Sequence, residues 1–239
     1  MQKTCVIIPS YNEEKRLDIT AFGEFIEQNP YHFLFVNDGS IDATQKILLE
    51  LQQKFPIKVS FIKLEQNKGK AEAVRIGFLK ALEKNDYTVV GYLDADLATP
   101  LEEIPYLLSY ISGNYEIVIG SRVKRLGTNI KRNLSRHYLG RIFATFTSFY
   151  LKIKVYDSQC GAKFFKTSIV RNLFTQPFSS KWLFDLEIIY RFKKNKKEEF
   201  NQYIIEIPLR AWEEKHDSKM KVIDFIRAPL DVFKIKSKN

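Results

Sequence analysis

Cysteine is nearly missing: the 239 residues hold two, Cys5 and Cys160, far apart in the chain. So few thiols exclude a disulfide framework, and both are read as reduced, the state expected in the cytosol. Long apolar runs are missing too. None approaches the ~20 residues that cross a bilayer, so no membrane-spanning helix is expected. A leader is not expected either, because Met1 leads straight into the first strand. Glycine and proline number 10 and 8 and never cluster, so nothing marks a linker between domains, and no internal repeat is visible. Histidine occurs three times, at 32, 137 and 216, without metal-ligand spacing, which argues against a histidine-built metal centre. Acidic residues are the minority charge, 28 against 38 basic, leaving a net charge of +10. With a pI near 9.4, that imbalance calls for an anionic partner: a nucleotide, a nucleic acid or an acidic membrane face. None of the usual nucleic-acid-binding motifs is present, so no nucleic acid is expected, and a nucleic-acid-binding module is only a remote alternative.

What is present is an ordinary globular composition, 45% hydrophobic. The first half alternates strand and helix patterns. Strands are predicted over 4–9, 32–36, 59–64, 88–93 and 116–120, with helices over 41–54 and from about 70 to 82. Two capping boxes, Ser10-Tyr11-Asn12-Glu13 and Thr99-Pro100-Leu101-Glu102, predict further helix starts, the second with proline in the first turn. Such alternation implies βαβ units, a mainly parallel sheet, and ligands at the carboxyl ends of its strands. The second half is basic and aromatic over 131–154, with Arg132, Arg136 and Arg141 followed by Phe143, Phe146, Phe149 and Tyr150. Strands are predicted over 162–165 and 203–209, a helix over 182–192, and a solvated charged loop over 193–199. The tail from Lys219 places Ile223, Ile226, Leu230 and Phe233 at helical spacing, with Pro229 expected to break it into two pieces.

The segment Tyr92-Leu93-Asp94-Ala95-Asp96 carries the most chemistry. An apolar strand ends in two carboxylates two residues apart. Unpaired buried charge is costly, and a hard divalent cation is the simplest partner. Mg²⁺ is held by one or two carboxylates together with substrate phosphates, so the pair points to a metal site for a phosphorylated substrate.

Four motifs in order, Val6-Ile7-Ile8-Pro9-Ser10-Tyr11-Asn12-Glu13-Glu14, Val36-Asn37-Asp38-Gly39-Ser40, Asn67-Lys68-Gly69-Lys70 and Asp94-Ala95-Asp96, resemble a family 2 glycosyltransferase of the GT-A fold. Gly120-Ser121-Arg122, Asp157-Ser158-Gln159-Cys160-Gly161, Trp182-Leu183-Phe184-Asp185-Leu186-Glu187 and Ser218-Lys219 are similar to the polyprenyl-phosphate branch, the dolichyl-phosphate β-glucosyltransferases nearest and the mannosyltransferases next. The resemblance implies a single α/β GT-A domain over 1–239, Rossmann-like, with helices on both faces of the sheet. Residues 1–120 would form the nucleotide-sugar half, and 121–239 the acceptor half with amphipathic helices.

The resemblance also assigns roles. Pro9, Tyr11 and Glu13 would border base and ribose, and Asp38 would accept from the uracil or guanine edge. Lys68, Lys70 and Lys219 would meet the diphosphate. Asp96 would ligate Mg²⁺ or Mn²⁺, with Asp94 beside metal and ribose. A lipid phosphate is already anionic and needs no general base. It needs guanidinium forks, supplied by Arg122 and Arg132 with Ser135 and Arg136 in support. Asp157 and Gln159 would line the sugar site. Asp185 and Glu187 would orient the sugar or the basic residues, or form a structural helix pair. The implied activity is inverting, metal-dependent transfer of a hexose to a polyprenyl or dolichyl phosphate. UDP-glucose is the favoured donor and GDP-mannose the other candidate. The implied location is peripheral, on the cytoplasmic membrane face, with 131–154 and 219–238 as the contact or as helices packed on the core. The alternative is a hydroxyl acceptor, with Asp185 as base.

Overall fold

The computed structural model describes residues 3–84, 86–111, 113–131, 145–215 and 222–238, with side chains in the last helix from 229 onward. Seven strands form one sheet: β1 (Thr4–Ser10), β2 (His32–Asn37), β3 (Val59–Lys63), β4 (Val89–Leu93), β5 (Ile117–Ser121), β7 (Ala162–Lys166) and β8 (Ile204–Pro208). Their order is β3-β2-β1-β4-β7-β5-β8. Every pairing is parallel except those of β7, which runs against both β4 and β5. A short parallel pair, β6 (Asn129–Lys131) and β9 (Ala211–Glu213), stands apart. The helices are α1 (Ile19–Gln28), α2 (Thr44–Lys54), α3 (Lys70–Glu83), α4 (Glu103–Leu108), α5 (145–151), α6 (Thr167–Phe174), α7 (Phe184–Lys196) and α8 (Val222–Lys238), with a 3₁₀ turn at Lys197–Gln202.

Successive strand side chains point to opposite faces. On β1, Cys5 and Ile7 join one apolar layer with Phe78, Phe165 and Phe174, while Val6 and Ile8 join the other with Phe22, Phe33 and Phe35. The expected doubly covered, mainly parallel sheet is what the chain builds. Because β7 is reversed, its first residue, Ala162, pairs with Leu93 at the last position of β4. The polar segment 157–161 therefore arrives beside Asp94.

Four expectations are corrected. Neither capping box starts a helix. After β1 the chain turns through Asn12 at φ 50, and the Ser10 hydroxyl donates back to the Ile8 carbonyl. The first helix begins only at Ile19, capped by Asp18, whose carboxylate accepts from the Ala21 N–H. Thr99 is buried in a turn, and α4 begins after Glu102 without a side-chain cap. Residues 193–199 are not loop: α7 runs on to Lys196 and the 3₁₀ turn follows. Pro229 lies inside α8 instead of breaking it, and among the described side chains of α8 Val232 and Ile235 are buried in the core. Leu230 and Phe233 remain exposed.

Candidate active site

The carboxyl ends of β1, β2 and β4 form one rim, tied together by loop hydrogen bonds. The Asn12 N–H donates to Ser40 Oγ at 3.0 Å, and the Ile41 N–H returns a bond to Asn12 Oδ1 at 3.0 Å. The Glu13 N–H donates to Thr44 Oγ1 at 2.8 Å. Glu13 itself is buried and accepts from Arg16 Nη2 at 2.6 Å, so its carboxylate pairs with a cation instead of capping a helix. Pro9 and Tyr11 lie half-buried on the same rim.

Asp38 has a duty the sequence did not reveal. Its two oxygens accept the backbone N–H groups of Lys68 and Gly69, each at 2.8 Å, and so hold the turn that starts α3. Burial pushes its carboxyl above the usual range, partly offset by those two bonds and by the Lys181 and Lys68 charges. The adjoining turn needs glycine at 39: φ is +68, and a Cβ there would run into the backbone of Gln66 and Asn67.

Asp94 and Asp96 stand at the end of β4. Lys70, the candidate diphosphate contact, places its Nζ 2.5 Å from Asp94 Oδ1. Burial opposes the Lys70 charge, but Asp94, then Asp185 and Asp96, hold its pKa above the ordinary value. Asp96 accepts from the Ala98 N–H at 3.1 Å. Its carboxyl is raised by burial and by the neighbouring Asp94. The Asp94 carboxylate rests on Gly161, where any Cβ would overlap it.

This donor set suits a divalent ion. Two carboxylates stand close together at the end of β4: one already attracts a stand-in cation in Lys70, and the other is raised by burial and by its like-charged neighbour. No group of three or more His, Cys, Asp or Glu gathers among the described residues. Two carboxylates completed by substrate phosphates is how Mg²⁺ is usually bound.

Beneath Lys70 lies a buried ionic group the sequence reading missed. Lys163, 0% exposed, donates from Nζ to Asp185 Oδ1 at 2.7 Å, to the Cys160 carbonyl at 2.6 Å and to the Tyr92 hydroxyl at 3.1 Å. The Tyr92 hydroxyl also donates to Asp185, which is 3% exposed. Burial and the Asp185 charge raise Tyr92 well above an ordinary phenol, keeping it a neutral donor. The carboxylate that a hydroxyl acceptor would need as base is thus committed to a buried lysine and a phenol. The legible signal was Lys163 itself, a lone cation inside the apolar strand 162–165. Glu187 accepts from the Ser179 N–H and from Arg191, whose guanidinium also donates to the carbonyls of Leu173, Gln176 and Pro177. It is a structural clamp.

Arg122 is held in place from three sides. Its Nε and Nη2 each donate to Asp157 at 2.6 Å, and its backbone N–H donates to Asp157 Oδ2. Its guanidinium lies 5.3 Å from the Trp212 ring centre. Burial works against its charge, and Asp157 more than restores it. Asp157 is fixed in turn by Glu206, which accepts the N–H groups of Tyr156 and Asp157 at 2.7 Å each. Arg210, bonded to buried Glu103, anchors the approach to Trp212. Arg132, Ser135, Arg136 and Lys219 lie outside the described residues.

The model of "Glycosyl transferase family 2" matches residues 5–174. The chain belongs to glycosyltransferase family 2. Curated relatives of this family 2 glycosyltransferase include a dolichyl-phosphate β-glucosyltransferase of Trichomonas vaginalis, 30% identical over 97% of this chain and 70% of the relative. The Saccharomyces cerevisiae dolichyl-phosphate β-glucosyltransferase is also 30% identical, over 95% of this chain and 72% of its own length. Among solved structures, glucosyl-3-phosphoglycerate synthase from Mycobacterium tuberculosis in complex with UDP overlays with a TM-score of 0.69 at 14% identity, covering 99% of this chain and 80% of that one. Mannosyl-3-phosphoglycerate synthase from Rubrobacter xylanophilus gives 0.69 at 14%, covering 99% and 73%. At that identity the overlay establishes the fold.

Proposed function

We propose that this glycosyltransferase moves glucose from UDP-glucose to a polyprenyl phosphate of the dolichyl type, with inversion at the anomeric carbon. The observation that carries the reading is the 30% identity to dolichyl-phosphate β-glucosyltransferases along nearly the whole chain. The family 2 rim at β1 and β2 would take the nucleoside, with Pro9, Tyr11 and Glu13 along base and ribose. Asp38 keeps a second lone pair on each oxygen for the base edge while it holds the 68–69 turn. Asp96 and Asp94 would hold Mg²⁺ or Mn²⁺. When bound, that ion supplies charge stabilisation to the departing diphosphate.

The commitment of Asp185 favours a phosphate acceptor over a hydroxyl one. A phosphate monoester is ionised at neutral pH and attacks without losing a proton. Arg122, pre-aimed by Asp157 and Trp212, would bind it, with Arg132, Ser135 and Arg136 as further candidates. Lys219 remains a candidate diphosphate contact. Membrane contact through α5 and α8 would bring the lipid to that arginine.

The test is an assay with radiolabelled UDP-glucose or GDP-mannose, divalent metal and polyprenyl phosphate in detergent. Labelled lipid from UDP-glucose, lost in Asp96→Ala and in Arg122→Ala, is the expected result. Donor hydrolysis with no lipid product, or retention of the anomeric configuration, would sink it.

A further inference from the structure

The position of Lys70 has a consequence for the order in which the site fills. Its ammonium sits 2.5 Å from Asp94 Oδ1, on one of the two carboxylates assigned above to the divalent ion. The other nearby lysine, Lys163, is fully buried and tied to Asp185, Tyr92 and the Cys160 carbonyl, so it is fixed. Lys70 is different. Its side chain is 41% exposed, and Asp94 is the carboxylate it pairs with among the described residues. Its Nζ lies 5.8 Å and 5.9 Å from the ring centres of Tyr92 and Phe184. Its backbone opens α3 directly after the turn that Asp38 grips. A flexible four-carbon stem on an anchored base is suited to carrying one charge between two positions.

Two cations do not share one carboxylate at contact distance without strong repulsion. The Asp94 carboxylate has no room to move toward Gly161, which backs it so closely that even a Cβ there would overlap it. We propose that Lys70 is the resident cation of the metal site: it occupies Asp94 in the free protein and leaves for the donor diphosphate, so that metal and nucleotide enter together. Lys70 then serves twice, first offsetting the Asp94 charge, then holding phosphate. Divalent ions bind the nucleotide-free protein weakly, and nucleoside diphosphate strengthens that binding by giving Lys70 another anion. By linkage the metal strengthens nucleotide binding by the same factor. This rests on reading Asp94 and Asp96 as the metal pair, and the experiment separates the two claims.

Mn²⁺ binding is measured by the electron paramagnetic resonance signal of the free ion, with and without UDP and without acceptor. Wild type, Lys70→Gln, Lys70→Arg, and Lys70→Gln combined with Asp94→Asn are compared, their folding checked by circular dichroism. The expected result is that Lys70→Gln binds Mn²⁺ about tenfold or more tightly than wild type in the absence of UDP, within the usual range of site-to-site coupling. Lys70→Arg, which keeps the charge, stays weak, and the added Asp94→Asn removes the gain. If wild type binds Mn²⁺ with UDP but Lys70→Gln shows no gain without it, the resident-cation proposal is overturned and the metal site stands. If no variant binds Mn²⁺ under either condition, the metal reading falls and this proposal with it.

Discussion

At position 161 a single methyl group would collide with the Asp94 carboxylate. Gly161→Ala is therefore a site mutation more than a core mutation: relieving the overlap means moving Asp94 off the rim. Misplacing a reacting group by an ångström costs about 10²-fold in rate. We expect kcat/KM to fall by about that factor while the melting temperature drops by only a few degrees, read from parallel assay and calorimetry. Nothing in the sequence singled out this glycine beyond its place in the 157–161 motif. Asp157 was equally opaque, because its partner Arg122 is 35 residues away in the chain and the bidentate contact exists only after β5 and β7 pair. The thiols were easier to read. Cys5 and Cys160 are free and buried, and burial pushes each from about 9 up to about 12. The native protein should resist iodoacetamide at pH 8 and react fully in denaturant. Because the unfolded thiols ionise near their ordinary value and the folded ones do not, the folded state binds more protons between about 9 and 12. Stability must then fall as pH rises through that window. Replacing both cysteines by alanine should flatten that part of the alkaline decline, measured by denaturant midpoint against pH.

Elements were legible where their hydrophobic period was long, and less so where a choice depended on distant partners. The five strands of the first half follow from pattern alone, as do the helix expected over 41–54, which begins at Thr44, and the helix from 70. The two false capping boxes show the limit. Ser and Glu three residues apart satisfy a helix start locally, but at 10–13 the available partners were the loop after β2 and Arg16, and the chain took those. Strand direction is not written locally either, so 162–165 was recognisable as a strand but not as the reversed one. That reversal sets Lys163 of β7 against Tyr92 of β4 and Asp185 of α7, joining three elements through one buried ion pair. Removing one partner of such a pair costs about 3–5 kcal/mol, because the other is left buried and uncompensated. Lys163→Met and Asp185→Leu should each destabilise to that degree, and the double variant by clearly less than their sum, as a chemical-denaturation cycle would show. An activity loss in Asp185→Asn should follow the folded fraction. Full folding with abolished turnover would instead revive Asp185 as a base.

At the scale of the whole molecule, the sheet order gathers the rim residues of β1, β2 and β4 at one edge, and the antiparallel β7 returns the second half of the chain to that edge. The helices α5 and α8 lie against each other. Tyr150 meets Phe233 with ring centres 4.8 Å apart, and Lys236 stands 4.2 Å from the Tyr150 ring. Each helix buries one side, through Leu151 and through Val232 and Ile235. Both leave large apolar groups outside: Phe149 is 86% exposed, Leu230 62% and Phe233 52%. No helix among the described residues is long and apolar enough to cross a membrane. An exposed aromatic and aliphatic face beside Lys234, Lys236 and Lys238 has the chemistry of a helix lying in the headgroup plane. Each lysine near an anionic surface adds about 1 kcal/mol, and the rings supply the apolar part. We therefore expect the protein to sediment with phosphatidylcholine vesicles containing phosphatidylglycerol, more weakly with phosphatidylcholine alone, and less in high salt. The double variant Phe149→Glu and Leu230→Glu should lose most of this binding with little change in melting temperature, since these side chains are 86% and 62% exposed. If that variant binds vesicles like wild type, the two helices are not the contact. If wild type elutes as a dimer and the variant as a monomer, the face joins two copies of the chain and is not the membrane contact.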